Sequence, residues 1–358
     1  MNAPAPTPTP IVTVERAGVH FPVSGGRTLK AVDGVSLEVM PRETFGVIGE
    51  SGSGKTTLGR AIICLEKPSA GRILHRGVDP YALSSRELRR HRRRYQIIFQ
   101  DPNAALDPRM TILKSIREPM DVTREMPERQ RQQRALELME RVGLSPDFAS
   151  RYPHELSGGQ KQRVCIARVL TLRPDLIVCD EAVSALDVSI QADILNLFAE
   201  LQAEFGLTYV FITHNLGVVA HVSDRVAVMY LGRIVEIGRT EDVVLTPSHP
   251  YTEALLSAEP VALPSNLRSH SRVMLKGELP SPVSPPSGCR FRTRCRFVQP
   301  LCGEKEPPWR ETAPGHWSAC HFAGELPIMS GAELHPVKLG RPAALTSGTP
   351  LRHGAAFP

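Results

Sequence analysis

Two bursts of alternating apolar and polar positions, Ile11 to Val14 and Val35 to Val39, predict antiparallel strands of a small sheet. A short apolar run, Phe45 to Ile48, predicts a further strand, and beyond a glycine-rich stretch the segment Thr57 to Leu65 has helical spacing. Tyr95 to Phe99 reads as another strand, followed by Asp101-Pro102-Asn103, a loop signal. Pro127 to Gly143 has helical periodicity and closes on Gly143, a C-cap residue; Lys161 to Leu172 and Val188 to Phe205 are helical as well. Leu176-Ile177-Val178-Cys179 shows no alternation, the pattern of a central parallel strand buried on both faces. Thr208 to Thr213 predicts a strand, Arg225 to Tyr230 and Arg233 to Ile237 a hairpin turning at Leu231-Gly232, and a helix starts near Thr240 with Glu241 and Asp242 in its first turn. The pattern is that of an α/β fold.

Composition changes past Pro260, where proline becomes frequent and periodicity weakens, so a boundary is expected between 260 and 275. Met1 to Pro10, an Ala-Pro-Thr repeat, reads as a disordered tail without the features of a secretory signal, and Gly324 to Pro358 as a mostly disordered one. The 358 residues suffice for two domains. No apolar run reaches the roughly eighteen residues of a membrane span, so a cytosolic chain is expected. The net charge of +6 permits contact with anionic lipid or nucleic acid without arguing for either. Arg89 to Arg94 is the most basic stretch; without interleaved aromatics to stack on bases it reads as a solvated helix end, and no nucleic-acid partner is expected.

Gly49-Glu50-Ser51-Gly52-Ser53-Gly54-Lys55-Thr56 is a phosphate-binding loop by pattern and by context, since a strand delivers it and a helix leaves it. Glycines let the backbone approach a phosphate chain, amides and the helix dipole converge on it, Lys55 reaches the β- and γ-phosphates, and the Thr56 hydroxyl can ligate Mg²⁺. Leu156-Ser157-Gly158-Gly159-Gln160 opens a second helix, a second anion site. Asp180 and Glu181 stand at the C-terminal end of a buried strand, where α/β sheets bind ligands: Asp180 to hold Mg²⁺ beside Thr56, Glu181 to accept a proton from water. His214, at another strand end, could polarise the γ-phosphate or orient the water. Phe21 could stack on a purine or belong to the core.

Of the seven cysteines, Cys64, Cys165 and Cys179 lie in apolar patterns and read as small buried hydrophobes. Cys289, Cys295, Cys302 and Cys320 cluster in one Pro-rich stretch, which in a reducing compartment argues for metal or cluster ligation rather than disulfides. Their gaps of five, six and seventeen residues lack Cys-x-x-Cys knuckles, favouring a [4Fe–4S] cluster over zinc.

In this order the motifs resemble the ATP-binding subunits of ABC transporters. The phosphate loop with Thr57, Gln100, Leu156 to Gln160, Leu176 to Glu181, Ser184-Ala185-Leu186-Asp187 and His214 look like the family's Walker A, Q-loop, signature, Walker B, D-loop and switch histidine. The resemblance covers residues 11 to 258 as a cassette, a P-loop core with an antiparallel β subdomain and a helical subdomain at about 101–170. It then extends further, from the end of the cassette into residues 259 to 323: His249-Pro250-Tyr251-Thr252-Glu253-Ala254-Leu255-Leu256, Gly277-Glu278-Leu279-Pro280-Ser281-Pro282, Pro285-Pro286-Ser287-Gly288-Cys289 and Arg294-Cys295 look like the C-terminal extension of dipeptide and oligopeptide importers, here a small Cys-rich module. Arg151-Tyr152-Pro153-His154 and Val228-Met229-Tyr230-Leu231-Gly232 fit the same group, most similar to the second ATPase subunit of the dipeptide permease. Two positions depart from the family: Ala182 replaces a proline after Walker B, and Asn215 replaces an aspartate after the switch histidine.

The resemblance implies ATP and Mg²⁺ bound by Gly49, Ser51, Gly52, Ser53, Gly54, Lys55, Thr56 and Thr57, with Ser157, Gly158, Gly159, Gln160 and Asp187 acting across a head-to-tail dimer. It implies Gln100 as a sensor of γ-phosphate or Mg²⁺, Glu181 and His214 as the hydrolytic pair, and a cluster in the extension with a structural or docking role. Its implied partners are a second ATPase subunit, two permease subunits and, indirectly, a peptide-binding protein, at the cytoplasmic face of the membrane. Other solutes of the group are nickel chelates, glutathione and opines. A soluble ABC ATPase acting on nucleic acid or ribosomes is a rival reading, but such proteins carry two cassettes or long coiled-coil inserts. A non-hydrolysing scaffold would predict a damaged Walker B glutamate or signature, and both are intact.

Overall fold

The computed structural model describes residues 9–258, 273–275 and 277–334. The N-terminal stretch up to residue 8, most of the boundary expected between 260 and 275 and the tail beyond residue 334 lie outside the described residues. Eleven strands are found among the described residues: β1 (Val12–Val23), β2 (Arg27–Val39), β3 (Thr44–Ile48), β4 (Ala70–His75), β5 (Tyr95–Ile98), β6 (Leu176–Asp180), β7 (Thr208–Thr213), β8 (Arg225–Tyr230), β9 (Arg233–Arg239), β10 (Arg310–Ala313) and β11 (His316–Ser318). Residues 80–212 gather into one compact unit and the described residues on either side into another.

In the flanking unit the two predicted bursts pair with each other, Val12 opposite Val39 and Val14 opposite Leu37, with all four side chains buried. The sheet has the order β2-β1-β4. Its third strand left no sequence signal, because Ala70 to Arg72 are exposed and only Ile73 and His75 turn inward. A second run of strands has the order β10-β11-β9-β8-β3, with β3 and β8 parallel. The predicted hairpin is β8 and β9; Leu231 and Gly232 both adopt positive φ, 44° and 80°, the geometry of a tight turn between twisted strands.

The C-terminal extension is built into this unit. Strand β11 pairs with β9, Trp317 opposite Ile237 and Ser318 opposite Glu236, and so covers what would be an open edge. Phe291 packs between Tyr230 and Tyr251 at centroid distances of 5.2 and 5.4 Å. Ile48, Tyr230, Tyr251, Leu256, Phe291 and Leu334 share one buried cluster. At the start of the tail expected to be mostly disordered, Gly331–Leu334 is a short helix, Leu334 is buried, and the Met329 N–H donates to Glu253 at 2.7 Å. Two apolar anchors in so short a segment are too few for periodicity to register.

In the unit of residues 80–212, β7, β6 and β5 form a parallel array in which Ile177 faces Tyr209 and Gln96. All five residues of β6 are buried, as its unbroken apolar run predicts. The helix expected over 127–143 is Glu128–Arg141, ended by Gly143 at φ 73°. Asp101-Pro102-Asn103 is a helix start rather than a loop: the Asp101 carboxylate accepts the Asn103 N–H at 2.8 Å and Pro102 takes the first position of the helix Pro102–Ala105. The basic run forms the end of helix Ser85–His91 and a following turn, with Arg93 paired to Glu125 and Arg94 to Asp175 at the surface. Cys64, Cys165 and Cys179 are buried as predicted.

Candidate nucleotide site

Strand β3 enters the core with all five residues buried and hands the chain to Gly49. Gly49 turns at φ 154°, where a Cβ would lie 2.1 Å from the Met229 carbonyl oxygen; at Gly54, φ 103°, a Cβ would lie 2.0 Å from that of Ala31. Only glycine fits either place. The Ser53 N–H donates to the Glu50 carbonyl at 3.2 Å, the Gly232 N–H to the Ser53 carbonyl at 2.9 Å, and helix Lys55–Ile62 leaves from Gly54. Lys55 is buried and its ammonium lies over the loop, donating to the carbonyls of Gly49 at 2.8 Å and Glu50 at 2.9 Å. Ser51 and Gly52 are exposed at the tip, while Thr56 and Thr57 in the first helical turn are half-buried. A ring of amides at a helix N-terminus with a lysine laid across it is the donor set that a polyphosphate requires.

His214 follows β7 and is exposed; Asn215 caps the next helix, Leu216–Val222, its side-chain oxygen accepting the Val218 N–H at 2.9 Å. Asparagine and aspartate are equivalent caps, so this departure from the family leaves the helix start intact. Phe21 lies near the end of β1, opposite Leu29, and is half-buried.

In the unit of residues 80–212, Asp180 ends β6 and is 5% exposed, and the Glu181 N–H donates to the Ile212 carbonyl at 2.8 Å. Glu181 has φ 49°, unusual for a residue with a Cβ and frequent at functional turns. Its carboxylate accepts the side-chain amide of Gln100 at 2.8 Å. The turn is tied by Ser184, whose N–H and hydroxyl both donate to the Glu181 carbonyl, at 3.1 and 2.9 Å; Ala182, where the family has proline, sits buried within it. Asp187 caps the helix Val188–Phe205 through the Ile190 N–H at 3.0 Å, and that bond holds its carboxyl below the usual range. Ser157 and Gln160 close a reciprocal capping box at the start of helix Gly158–Leu170, with contacts of 3.3 and 2.9 Å. Gly159 is buried where a Cβ would meet Ile190 at 2.5 Å, while Ser157 and Gly158 face outward.

The ABC transporter family matches residues 32–184, and the C-terminal region of oligopeptide/dipeptide transporters matches residues 235–302. Over 314 residues the chain is 50% identical to the putative oligopeptide transport ATP-binding protein YkfD of Bacillus subtilis, spanning 87% of this chain and 95% of that one. It is an ABC ATPase of the oligopeptide-transporter group. The oligopeptide transport ATP-binding protein AppF of Bacillus subtilis is 51% identical over 310 residues, 85% of this chain and 94% of its own. A putative peptide import ATP-binding protein of Brucella ovis is 50% identical over 314 residues, 88% and 98% of the two chains. Among solved structures, cbiO1 from Clostridium perfringens, part of the ABC transporter complex cbiONQ, aligns with TM-score 0.59 at 30% identity over 66% of this chain and 90% of its own. The cassette MJ0796, dimeric in a post-hydrolysis state with ADP and Pi, aligns with TM-score 0.58 at 31% identity over 64% and 98%.

In this ABC ATPase the four clustered cysteines converge. Cys289, Cys295, Cys302 and Cys320 line one cavity of about 10 Å³ with Phe291, Phe297 and Phe322. The Cys289 N–H donates to the Cys302 carbonyl at 2.8 Å. Burial pushes the Cys289 thiol up to about 12 and Cys295 to about 11, and raises Cys320; the neighbouring sulfurs add to each shift. Among the described residues no group of three His, Cys, Asp or Glu side chains is placed to hold a metal ion, so metal binding in the extension receives no support from the geometry. Sequence reasoning missed Glu50, Tyr251 and Arg294. The Glu50 carboxylate is gripped by Arg294 and its N–H donates to the Tyr251 hydroxyl at 2.8 Å. Four arginines within Cys289 to Arg296 were the one available signal, and it names no partner.

Proposed function

We propose that this ABC ATPase powers import of dipeptides or oligopeptides across the cytoplasmic membrane as one of two cassettes in a head-to-tail pair. The observation that carries the reading is the outward-facing signature: Ser157 and Gly158 stand exposed at the head of a thirteen-residue helix, available to nucleotide held on another subunit's phosphate loop. Relatives at about half identity across nearly their whole length are named as peptide transport ATP-binding proteins, which supports the solute class.

ATP would lie along Gly49 to Thr57 with its base against Phe21, and the signature and Asp187 of a partner would complete its enclosure. Thr56, Asp180 and Gln100 are the residues that would hold Mg²⁺, which would supply positive charge to the phosphate chain. Glu181 accepts the proton of the attacking water while His214 orients it. In this chain Gln100 donates to Glu181, so a sensor of the γ-phosphate also holds the base. Closure on ATP and reopening after hydrolysis would drive two permease subunits fed by a peptide-binding protein. No helix among the described residues is long and apolar enough to cross a membrane, in keeping with peripheral attachment through those permeases.

For the extension we propose that Cys289, Cys295, Cys302 and Cys320 ligate one [4Fe–4S] cluster with a structural role. The thiols suit it in kind and number and share the lining of one small cavity, but as they stand they are not placed to hold a metal, so the reading rests on residue type and not on geometry. A cluster would supply the positive charge that such buried sulfurs need in order to deprotonate.

Reconstitution of the chain with its permeases and second ATPase in vesicles tests the main reading. Peptide-stimulated ATP hydrolysis coupled to peptide uptake is expected; hydrolysis indifferent to peptides and to the peptide-binding protein would overturn it.

A further inference from the structure

We infer that Arg294, together with Tyr251, positions the phosphate loop through Glu50, so that the cysteine-bearing loop is a working part of the nucleotide site. The inference rests on the reading that Gly49 to Thr56 holds ATP.

Glu50 is the second residue of the loop, directly after the Gly49 turn. Arg294 grips its carboxylate with both arms of the guanidinium, Nη1 to Oε2 at 2.5 Å and Nη2 to Oε1 at 3.0 Å. The Arg294 side chain is 8% exposed and that of Glu50 29%, so the pair is mostly withdrawn from water and escapes the weakness of surface ion pairs. The Glu50 N–H donates to the hydroxyl of Tyr251, which is buried against Tyr230 and Phe291 and cannot follow a moving loop. Its carbonyl accepts from Lys55 at 2.9 Å. All three polar handles of Glu50 are therefore occupied, two of them by groups from beyond residue 250.

The same loop braces the site from a second side. Arg290 donates to the Leu231 carbonyl at 2.5 Å and pairs with Asp33, while the Gly232 N–H holds the Ser53 carbonyl at 2.9 Å. Both arginines are set by the turns between Cys289 and Cys295: the Arg292 N–H donates to the Cys289 carbonyl at 3.1 Å and the Arg294 N–H to the Phe291 carbonyl at 2.9 Å. Phosphate binding requires the loop amides to stay convergent before ligand arrives, and a loop with glycines at 49, 52 and 54 does not hold that shape unaided. The pair with Arg294 supplies the constraint. Arg294 is too far back in the loop's support to be a catalytic residue; it acts on nucleotide through Glu50.

The test measures binding of a fluorescent ATP analogue with Mg²⁺ to the full-length chain, beside its thermal midpoint without nucleotide. Arg294→Gln and Glu50→Gln should each weaken binding by about tenfold, the scale of one charge-assisted contact. The double variant should be no weaker than either single one within about twofold, since both remove the same pair. Arg294→Lys should recover part of the affinity but not all, because a single ammonium cannot reproduce the fork. Should Arg294→Gln fail to fold, Glu50→Gln, altered at a more exposed side chain, decides by itself. Affinities within about twofold of wild type in Glu50→Gln, or losses that multiply in the double variant, would overturn the inference. Lys55→Ala separates the two levels: binding lost there but kept in Glu50→Gln refutes only the role of Arg294, whereas binding kept in Lys55→Ala refutes the nucleotide reading and the inference with it.

Discussion

The side-chain amide of Gln100 donates to the carboxylate of Glu181 at 2.8 Å, joining the end of one strand segment to the turn after β6. A glutamate with φ 49° is held in place by its own N–H bond to Ile212, so the carboxylate is aimed before substrate binds. Glu181→Gln keeps the shape and the hydrogen bond but removes the proposed proton acceptor. It should retain ATP affinity and lower turnover of the assembled transporter by about 10²- to 10⁴-fold, trapping a closed dimer. Gln100→Ala, which frees the carboxylate, should lower kcat by about tenfold with KM nearly unchanged. Turnover within threefold of wild type for Glu181→Gln would remove Glu181 from the mechanism.

Ser157 caps its helix and, in the proposed head-to-tail pair, would face the partner's nucleotide; two substitutions separate the two roles. Ser157→Ala loses the cap on the Gln160 N–H and should cost about 1 kcal/mol of stability, read by chemical denaturation. Ser157→Arg fills the exposed helix head with a large cation and should abolish hydrolysis at the site shared with the partner while ATP binding to this chain's own loop persists. A fall in nucleotide affinity of the isolated chain would argue against action in trans.

Acid should weaken the unit that holds the phosphate loop through His249. Burial depresses this imidazole from 6.5 to about 3, and its Nδ1 accepts the Tyr251 N–H at 3.1 Å, which requires the neutral ring. The unfolded chain takes up a proton near pH 6.5 and the folded one does not, so stability is full above that pH and is lost as pH falls toward 3, by about 1.4 kcal/mol per unit. Denaturation midpoints at pH 7.5, 6 and 5 should show this slope, and His249→Gln should reduce it by about one proton. An equal slope in the variant would assign the effect elsewhere.

Anaerobically purified protein should be brown, with broad absorbance near ~400 nm, and Cys295→Ser should bleach it. Colourless anaerobic protein with stoichiometric zinc would decide for that metal instead. Protein with neither would leave free thiols at all four positions, and burial holds those of Cys289, Cys295 and Cys320 in the unreactive protonated form.

The periodic elements and the chemistry of each motif could be read from the sequence, because both are local. The strand before Gly49, the unbroken apolar β6 ending in Asp180, the hairpin turning on Leu231-Gly232 and helix Val188–Phe205 all declare themselves within a few residues, through side-chain period, turn conformation or capping. Asp101 shows the limit of such reading: Asp-Pro-Asn serves a loop and a helix start equally well, and only the accepted N–H of Asn103 separates the two. The integration of the extension was decided in three dimensions. Arg294 and Glu50 are 244 residues apart, and Trp317 pairs with Ile237 across a strand edge, relations that leave no local pattern. What appeared as a small Cys-rich appendix shares a core with the strands behind the phosphate loop. Burial of Phe291 between Tyr230 and Tyr251 brings the arginine beside Cys295 within reach of the loop at Gly49, and no periodicity could announce that contact.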